Sequence, residues 1–236
     1  MLTRRRFLLA SGIGLAAFSL RAEGTVPVPA VLDHILLGCP DLDQGVAFVE
    51  SHLGVRAAFG GVHPGRGTQN ALLSLGDHHY LEIIARDPAQ HVAAAGLLAK
   101  LASLKEPRLI GWAAHPGDLT AYAKRLHHNG IAFEGPTPGS RKRPDGKLLQ
   151  WSTLNLDKDD AGLLPFFIEW SSDSRHPSAD APQGCRCTRF ELATPDLAAL
   201  QKTLAMLSLD VAVAKSATPQ LRATFQGPAG ELGVTS

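Results

Sequence analysis

Three short segments of this chain recur at an almost fixed interval, and that spacing restricts the possible folds more than any other feature of the sequence. Pro40-Asp41-Leu42, Gly117-Asp118-Leu119 and Pro195-Asp196-Leu197 each follow an apolar run and open a helical pattern, and their aspartates stand 77 and 78 residues apart. One supersecondary unit used more than once accounts for this. In the first unit residues 31–37 read as a strand and Asp41 as a helix N-cap. Leu42, Val46, Val49 and Leu53 then share one helical face before Gly54 stops the helix. Residues 71–75 and 80–84 read as strands around a Gly76-Asp77 turn.

The second unit has a strand at 109–114, a helix with Leu119, Tyr122, Ala123 and Leu126 that ends at Asn129-Gly130, and strands at 148–154 and 165–170. The organisation expected is therefore a βαβββ module over residues 31–88 and a second over 108–170. A connecting helix within 89–107, bearing Val92, Leu97, Leu98 and Leu101, joins them. A linker rich in Ser, Pro and Asp follows over 171–187, then a partial third module over 188–236, whose helix carries Leu197, Leu200, Leu204 and Leu207. The chain ends before that unit is complete. The fold class expected is α+β, built from repeated modules.

With 236 residues and 44% apolar composition the chain can bury an ordinary core. A net charge of +1 without a basic stripe gives no electrostatic footprint for nucleic acid, so the partner expected is a small-molecule ligand or substrate. Cys39 stands alone, and Cys185 and Cys187 are too close in sequence for an unstrained mutual disulfide. Cys185-x-Cys187 lacks two further ligands for a soft metal site, so both read as strand residues.

Thr3-Arg4-Arg5-Arg6-Phe7-Leu8-Leu9 resembles the twin-arginine export motif. The apolar run over 7–20 is too short for a stable membrane span, and Leu20-Arg21-Ala22 offers a cleavage point. Residues 1–22 then form a signal peptide. The resemblance implies the twin-arginine export machinery as a partner and a periplasmic or secreted location; an uncleaved anchor is the alternative. Because that machinery carries folded cargo, it also favours a cofactor acquired before export.

Leu32-Asp33-His34-Ile35 opens the first module and Tyr80-Leu81-Glu82-Ile83-Ile84 closes it, with Gly60-Gly61-Val62-His63-Pro64-Gly65-Arg66-Gly67-Thr68-Gln69-Asn70 between them. On these residues the chain resembles the vicinal oxygen chelate superfamily, and within it the glyoxalase-like branch. The resemblance implies modules curving into an incomplete barrel of the glyoxalase, bleomycin-resistance and dihydroxybiphenyl-dioxygenase type, with a divalent metal or a ligand in the cleft. Matched strand by strand, it implies His34, Glu82 and Glu169 as metal ligands. The second-module place equivalent to His34 is Gly111, which cannot ligate. An extradiol-type dioxygenase needs histidine there, so that activity is disfavoured.

The same residues stand out on physical grounds. His34 alternates in phase with Leu32 and Leu36, and Glu82 with Tyr80 and Ile84, so both face inward in their strands. An ionised carboxylate in such a strand costs several kcal/mol, on the order of a buried charge, unless a cation or strong donors compensate it. One imidazole and two carboxylates suit zinc, iron, manganese or nickel with positions left open for substrate oxygens. Glu169 or Glu82 would then be the proton-moving base. Alternatively His34 is a satisfied core histidine, and the two glutamates pair with arginine or backbone amides. His115 or a water fills the Gly111 place, or His115 caps the turn before Asp118.

His63, Asn70, Trp112, Arg141 and Arg143 are the substrate-binding candidates. Arg141, Lys142, Arg143 and Lys147 surround a Pro-Asp-Gly turn, which either holds an anion at the cleft mouth or is a solvated hairpin tip. Trp112, Trp151 and Trp170 either line the cleft or fill the core. His78 and His79, beside a turn, are expected in solvent. Two functions fit: an exported divalent-metal enzyme of lyase or isomerase type acting on a small oxygen-bearing molecule, and a metal-free protein that binds or sequesters one. Oligomeric state stays open.

Overall fold

The three repeated aspartates start three helices by the same hydrogen bond. Asp41 accepts from the Gln44 amide at 3.0 Å, Asp118 from Ala121 at 2.8 Å and Asp196 from Ala199 at 3.0 Å, each satisfying a donor that the first helical turn leaves unpaired. The computed structural model describes residues 28–143, 145–157 and 162–236. The twin-arginine motif and its cleavage point lie outside the described residues.

The first unit runs β1 (Leu32–Gly38), α1 (Leu42–Leu53), β2 (Ala58–His63), β3 (Thr68–Ser74) and β4 (Tyr80–Arg86). Gly54 ends α1 in the left-handed conformation at φ 76°. The connecting segment is helical only as α2 (Leu97–Ser103), and Val92, expected on that helix, precedes it. The second unit runs β5 (Arg108–Ala114), α3 (Leu119–His128), β6 (Phe133–Lys142), β7 (Leu148–Leu156) and β8 (Phe166–Trp170). One eight-stranded sheet joins the two units in the order β2-β3-β4-β1-β5-β8-β7-β6, with β1 parallel to β4, β5 parallel to β8, and β1 antiparallel to β5 at the seam. The sheet curls into a half-barrel, with the edge strands β2 and β6 brought into contact.

The last segment differs from expectation. It holds five elements, β9 (Arg186–Thr194), α4 (Leu197–Met206), β10 (Ala212–Lys215), β11 (Gln220–Gly227) and β12 (Gly230–Thr235). Its strands pair in another order, β10-β9-β11-β12, as a separate four-stranded sheet. After α4 the chain passes through Ser208 at φ 55°, and β10 lies parallel beside β9, the place that the last strand takes beside β1 in the first unit. The segment read as a linker carries a short 3-10 helix, Pro177–Ala179, packed on β3. Among the described residues no helix is long and apolar enough to cross a membrane.

Val46, Val49 and Leu53 of α1, Leu119 and Leu126 of α3, and Phe190, Leu192 and Phe225 of the second sheet share one buried core. Each such side chain stabilises by about 1.5–3 kcal/mol relative to exposure. In β1, Ile35 and Leu37 enter that core while His34 and Leu36 face the hollow of the half-barrel. α1 and α3 thus cover one face of the large sheet, and the opposite face, on which α2 packs through Leu101, is left for a site.

Candidate functional site

The hollow of the half-barrel is a cavity of about 780 Å³. Most of its wall is apolar, and its polar end gathers His34, His63, Asn70, Glu82 and Arg141. Strand phase places them: Tyr80, Glu82 and Ile84 of β4 all face inward, as do Thr68 and Asn70 of β3.

Glu82 is 7% exposed and is held by first-unit side chains. The Asn70 amide donates to its Oε1 at 2.6 Å, and His34 Nε2 faces its Oε2 at 3.5 Å. His63 Nε2 lies 3.9 Å from Oε1 and 3.4 Å from the Asn70 nitrogen that donates to the same oxygen. His63 bonds Thr68 through Nδ1 at 2.8 Å. Burial lowers its pKa against the opposing pull of Glu82, so the imidazole is neutral near pH 7.

Behind His34 lies Asp33, which the sequence reading missed as a site residue. The β1–β5 register shifts between Leu32 and His34, a bulge that turns Asp33 out of the strict alternation. Its Oδ1 lies 2.7 Å from His34 Nδ1, and its Oδ2 accepts from Trp170 Nε1 at 3.1 Å and meets His176 Nε2 at 3.2 Å. Burial alone would raise the Asp33 pKa, but the hydrogen bonds and charge of His176 and His34 hold it well below the usual carboxylate range. His34 also stacks on Tyr80, with ring centroids 4.5 Å apart. An aspartate within an otherwise apolar strand was a signal that could have found Asp33. His176 comes from a segment with no local motif.

Arg141 reaches the same cavity from β6, 4% exposed, and donates from Nη1 to the Gly60 carbonyl of β2. Glycines on β2 make room for it. A Cβ at Gly60 would come within 2.4 Å of Asn70 Oδ1 and 3.2 Å of Arg141 Nη2, and one at Gly61 within 3.3 Å of Arg141 Nη1. Burial lowers the Arg141 pKa and the charge of Glu82 opposes this.

Four expected site residues have their polar groups engaged by other partners. Glu169 is out of phase with the inward residues Phe166, Ile168 and Trp170 of β8, and its Oε2 accepts from the Leu119 amide at 3.1 Å, at the start of α3. It does not line the cavity beside His34 and Glu82. Trp112 borders the cavity, yet its side chain is fully buried, packs edge-on against Phe190 and gives its indole N–H to Leu163 at 2.8 Å; it is a core residue. Arg143 is paired with Asp180 outside the cavity. His115 bonds the Ile168 carbonyl at 2.9 Å.

The resemblance implies a divalent metal in this hollow, and the donor set does not fit one. The second unit offers Gly111, Ile168 and Trp170 where ligands are needed, and the Glu82 oxygen nearer His63 already accepts from the Asn70 amide. Among the described residues no group of three His, Cys, Asp or Glu is placed to hold a metal ion. His34 and Glu82 alone fall short of the three protein ligands of a catalytic zinc site.

A family model described as a glyoxalase-like domain matches residues 32–208 of the chain. No curated protein sequence matches it. Among solved structures, a hypothetical protein from Staphylococcus aureus is similar with a TM-score of 0.62 at 15% identity, over 86% of this chain and 84% of that one. Methylmalonyl-CoA epimerase from Mycobacterium tuberculosis is similar with a TM-score of 0.44 at 21% identity, over 64% of this chain and 92% of that one. These likenesses concern the fold alone.

Proposed function

The chain belongs to the glyoxalase-like domain family, of vicinal oxygen chelate fold, and on that premise we propose that it is an enzyme of isomerase or lyase type that moves a proton on a small oxygen-bearing molecule. The observation that carries this is the setting of Glu82. A carboxylate aimed into a largely apolar cavity is fixed by Asn70 on one oxygen and faced by His34 on the other. Such a group is oriented before substrate arrives, and general-base catalysis of this kind contributes roughly 10²–10⁴-fold.

In the step supported, Glu82 takes a proton from a carbon next to a carbonyl. The C–H bond breaks, its electron pair forms a carbon–carbon double bond, and the carbonyl π pair moves onto oxygen as an enolate. Returning the proton to a different face or carbon completes an isomerisation. Expelling a group from the next carbon completes an elimination. His34, backed by Asp33, is placed to accept the proton from Glu82 and steady the resulting charge. The apolar wall excludes water and strengthens each of these interactions.

Export through the twin-arginine pathway is part of the proposal, supported by residues 3–9. The test of the chemistry is solvent exchange. Small ketones, aldehydes and 2-oxo acids are first screened for binding, then incubated with the protein in deuterium oxide and followed by proton NMR. Deuterium uptake next to the carbonyl, first order in protein, is expected for at least one compound that binds. Binding without uptake by any of them would overturn the enzyme and assign the cleft to sequestration.

A further inference from the structure

Arg141 is a buried cation with little to balance it. The residue is 4% exposed, and its guanidinium bonds the Gly60 carbonyl from Nη1. No carboxylate lies within ion-pair distance of it among the described residues, although the neighbouring Arg143 is paired with both Asp145 and Asp180. The guanidinium has five donors, and those beyond Nη1 take no partner among the described residues. Among the described residues the one fully enclosed side-chain atom without a partner is Asn70 Oδ1, so no Arg141 nitrogen is both enclosed and unpartnered. The unused Arg141 donors therefore open onto the cavity that the side chain lines.

Leaving a guanidinium in this setting without an anion is costly, and the protein has gone to some length to place it there. β6 carries it across to β2, where glycine at 60 and 61 allows the close approach. Beyond it the cavity wall is apolar and aromatic, with Ile84, Ile110, Trp151, Phe166 and Trp170. One cation beside one carboxylate, Glu82, favours a single negative charge and disfavours a dianion such as phosphate, which Glu82 would repel.

We infer that the substrate is a small organic carboxylate with an apolar or aromatic body, its carboxylate bound by Arg141 and its body lying against Trp151, Trp170 and Phe166. This deepens the proposed function and rests on its reading of the cleft as a small-molecule site. In that pose the same guanidinium donates to the oxygen on which charge develops when Glu82 removes the proton.

The test is calorimetric titration of the full chain with two matched pairs, phenylacetate against phenylacetamide and hexanoate against hexanamide. The wild type is expected to bind each acid about tenfold or more tightly than its amide, as charge-assisted hydrogen bonds warrant. Arg141→Met should erase the difference, Arg141→Lys should keep part of it, and Glu82→Gln should widen it by removing a like charge. Thermal unfolding of each variant checks that it is folded, and the acid–amide comparison in the wild type needs no variant at all. No preference in the wild type, no binding of either acid, or a preference that survives Arg141→Met would each overturn the inference. An acid preference without deuterium uptake would leave this inference standing and sink the proton-transfer reading. Uptake without the preference would do the reverse.

Discussion

Asp33 and His34 are consecutive residues of one strand, yet Asp33 Oδ1 lies 2.7 Å from His34 Nδ1. In regular pleating they would point to opposite faces. The bulge between Leu32 and His34 brings them together, and with Asp33 held ionised the imidazole donates from Nδ1 and turns Nε2 toward Glu82. Orientation of the histidine is thus built into a backbone irregularity.

Replacing Asp33 with asparagine should destabilise the protein by about 2–4 kcal/mol at neutral pH, since it removes the charge that three donors address. The depressed pKa of Asp33 contributes stability that is present above its unfolded pKa of about 3.9 and lost as pH falls toward the folded value. Melting temperature measured between about pH 5 and pH 2 should therefore fall less steeply in Asp33→Asn than in the wild type. Parallel curves would show that Asp33 is not the ionised hub described.

His63 acts in the same direction at higher pH. Its pKa is lowered by burial, so the unfolded chain binds the extra proton first, and stability is lost as pH drops below the ordinary histidine value of about 6.5. His63→Gln should remove that early part of the acid loss. An unchanged stability profile between about pH 7 and pH 5 would contradict the burial described.

Glu169→Gln should leave ligand binding and deuterium uptake within about twofold of the wild type. It should cost about 1 kcal/mol of stability, because it weakens a hydrogen bond at the N-terminus of α3, where negative charge is favoured. A large loss of catalysis with unchanged stability would return Glu169 to the site.

Dialysis against a chelator should change neither the melting temperature nor the acid affinity of the protein, and elemental analysis should find no stoichiometric divalent ion. The reason lies in the second unit, which presents Gly111 and Ile168 to the cavity where donors would be required. A stoichiometric metal that is lost in His34→Ala and Glu82→Ala would contradict this.

Much of the architecture was legible because it rests on local chemistry. Asp41, Asp118 and Asp196 mark helix starts wherever they occur, and Gly54 marks a stop. The alternation around Glu82 gave its direction correctly, since β4 is regular. What local pattern cannot carry is a phase that depends on a partner strand. Glu169 occupies an ordinary strand position and is turned outward by the register of β8, and the Asp33 bulge exists only in pairing with β5. The meeting of Arg141 with Gly60 joins residues 81 apart on strands at opposite edges of the sheet, and His176 reaches Asp33 over 143 residues. The pairing order of the last sheet, with β10 beside β9, differs from that of the first unit, and the repeat of the aspartates does not encode it.

The rate of deuterium uptake by Glu82→Gln beside the wild type, on a compound that both bind, tests the proposed chemistry most directly. A fall of roughly 10²-fold or more with affinity kept or improved is the expected result. Uptake within about threefold of the wild type would mean that another group moves the proton and that Glu82 is only part of the wall.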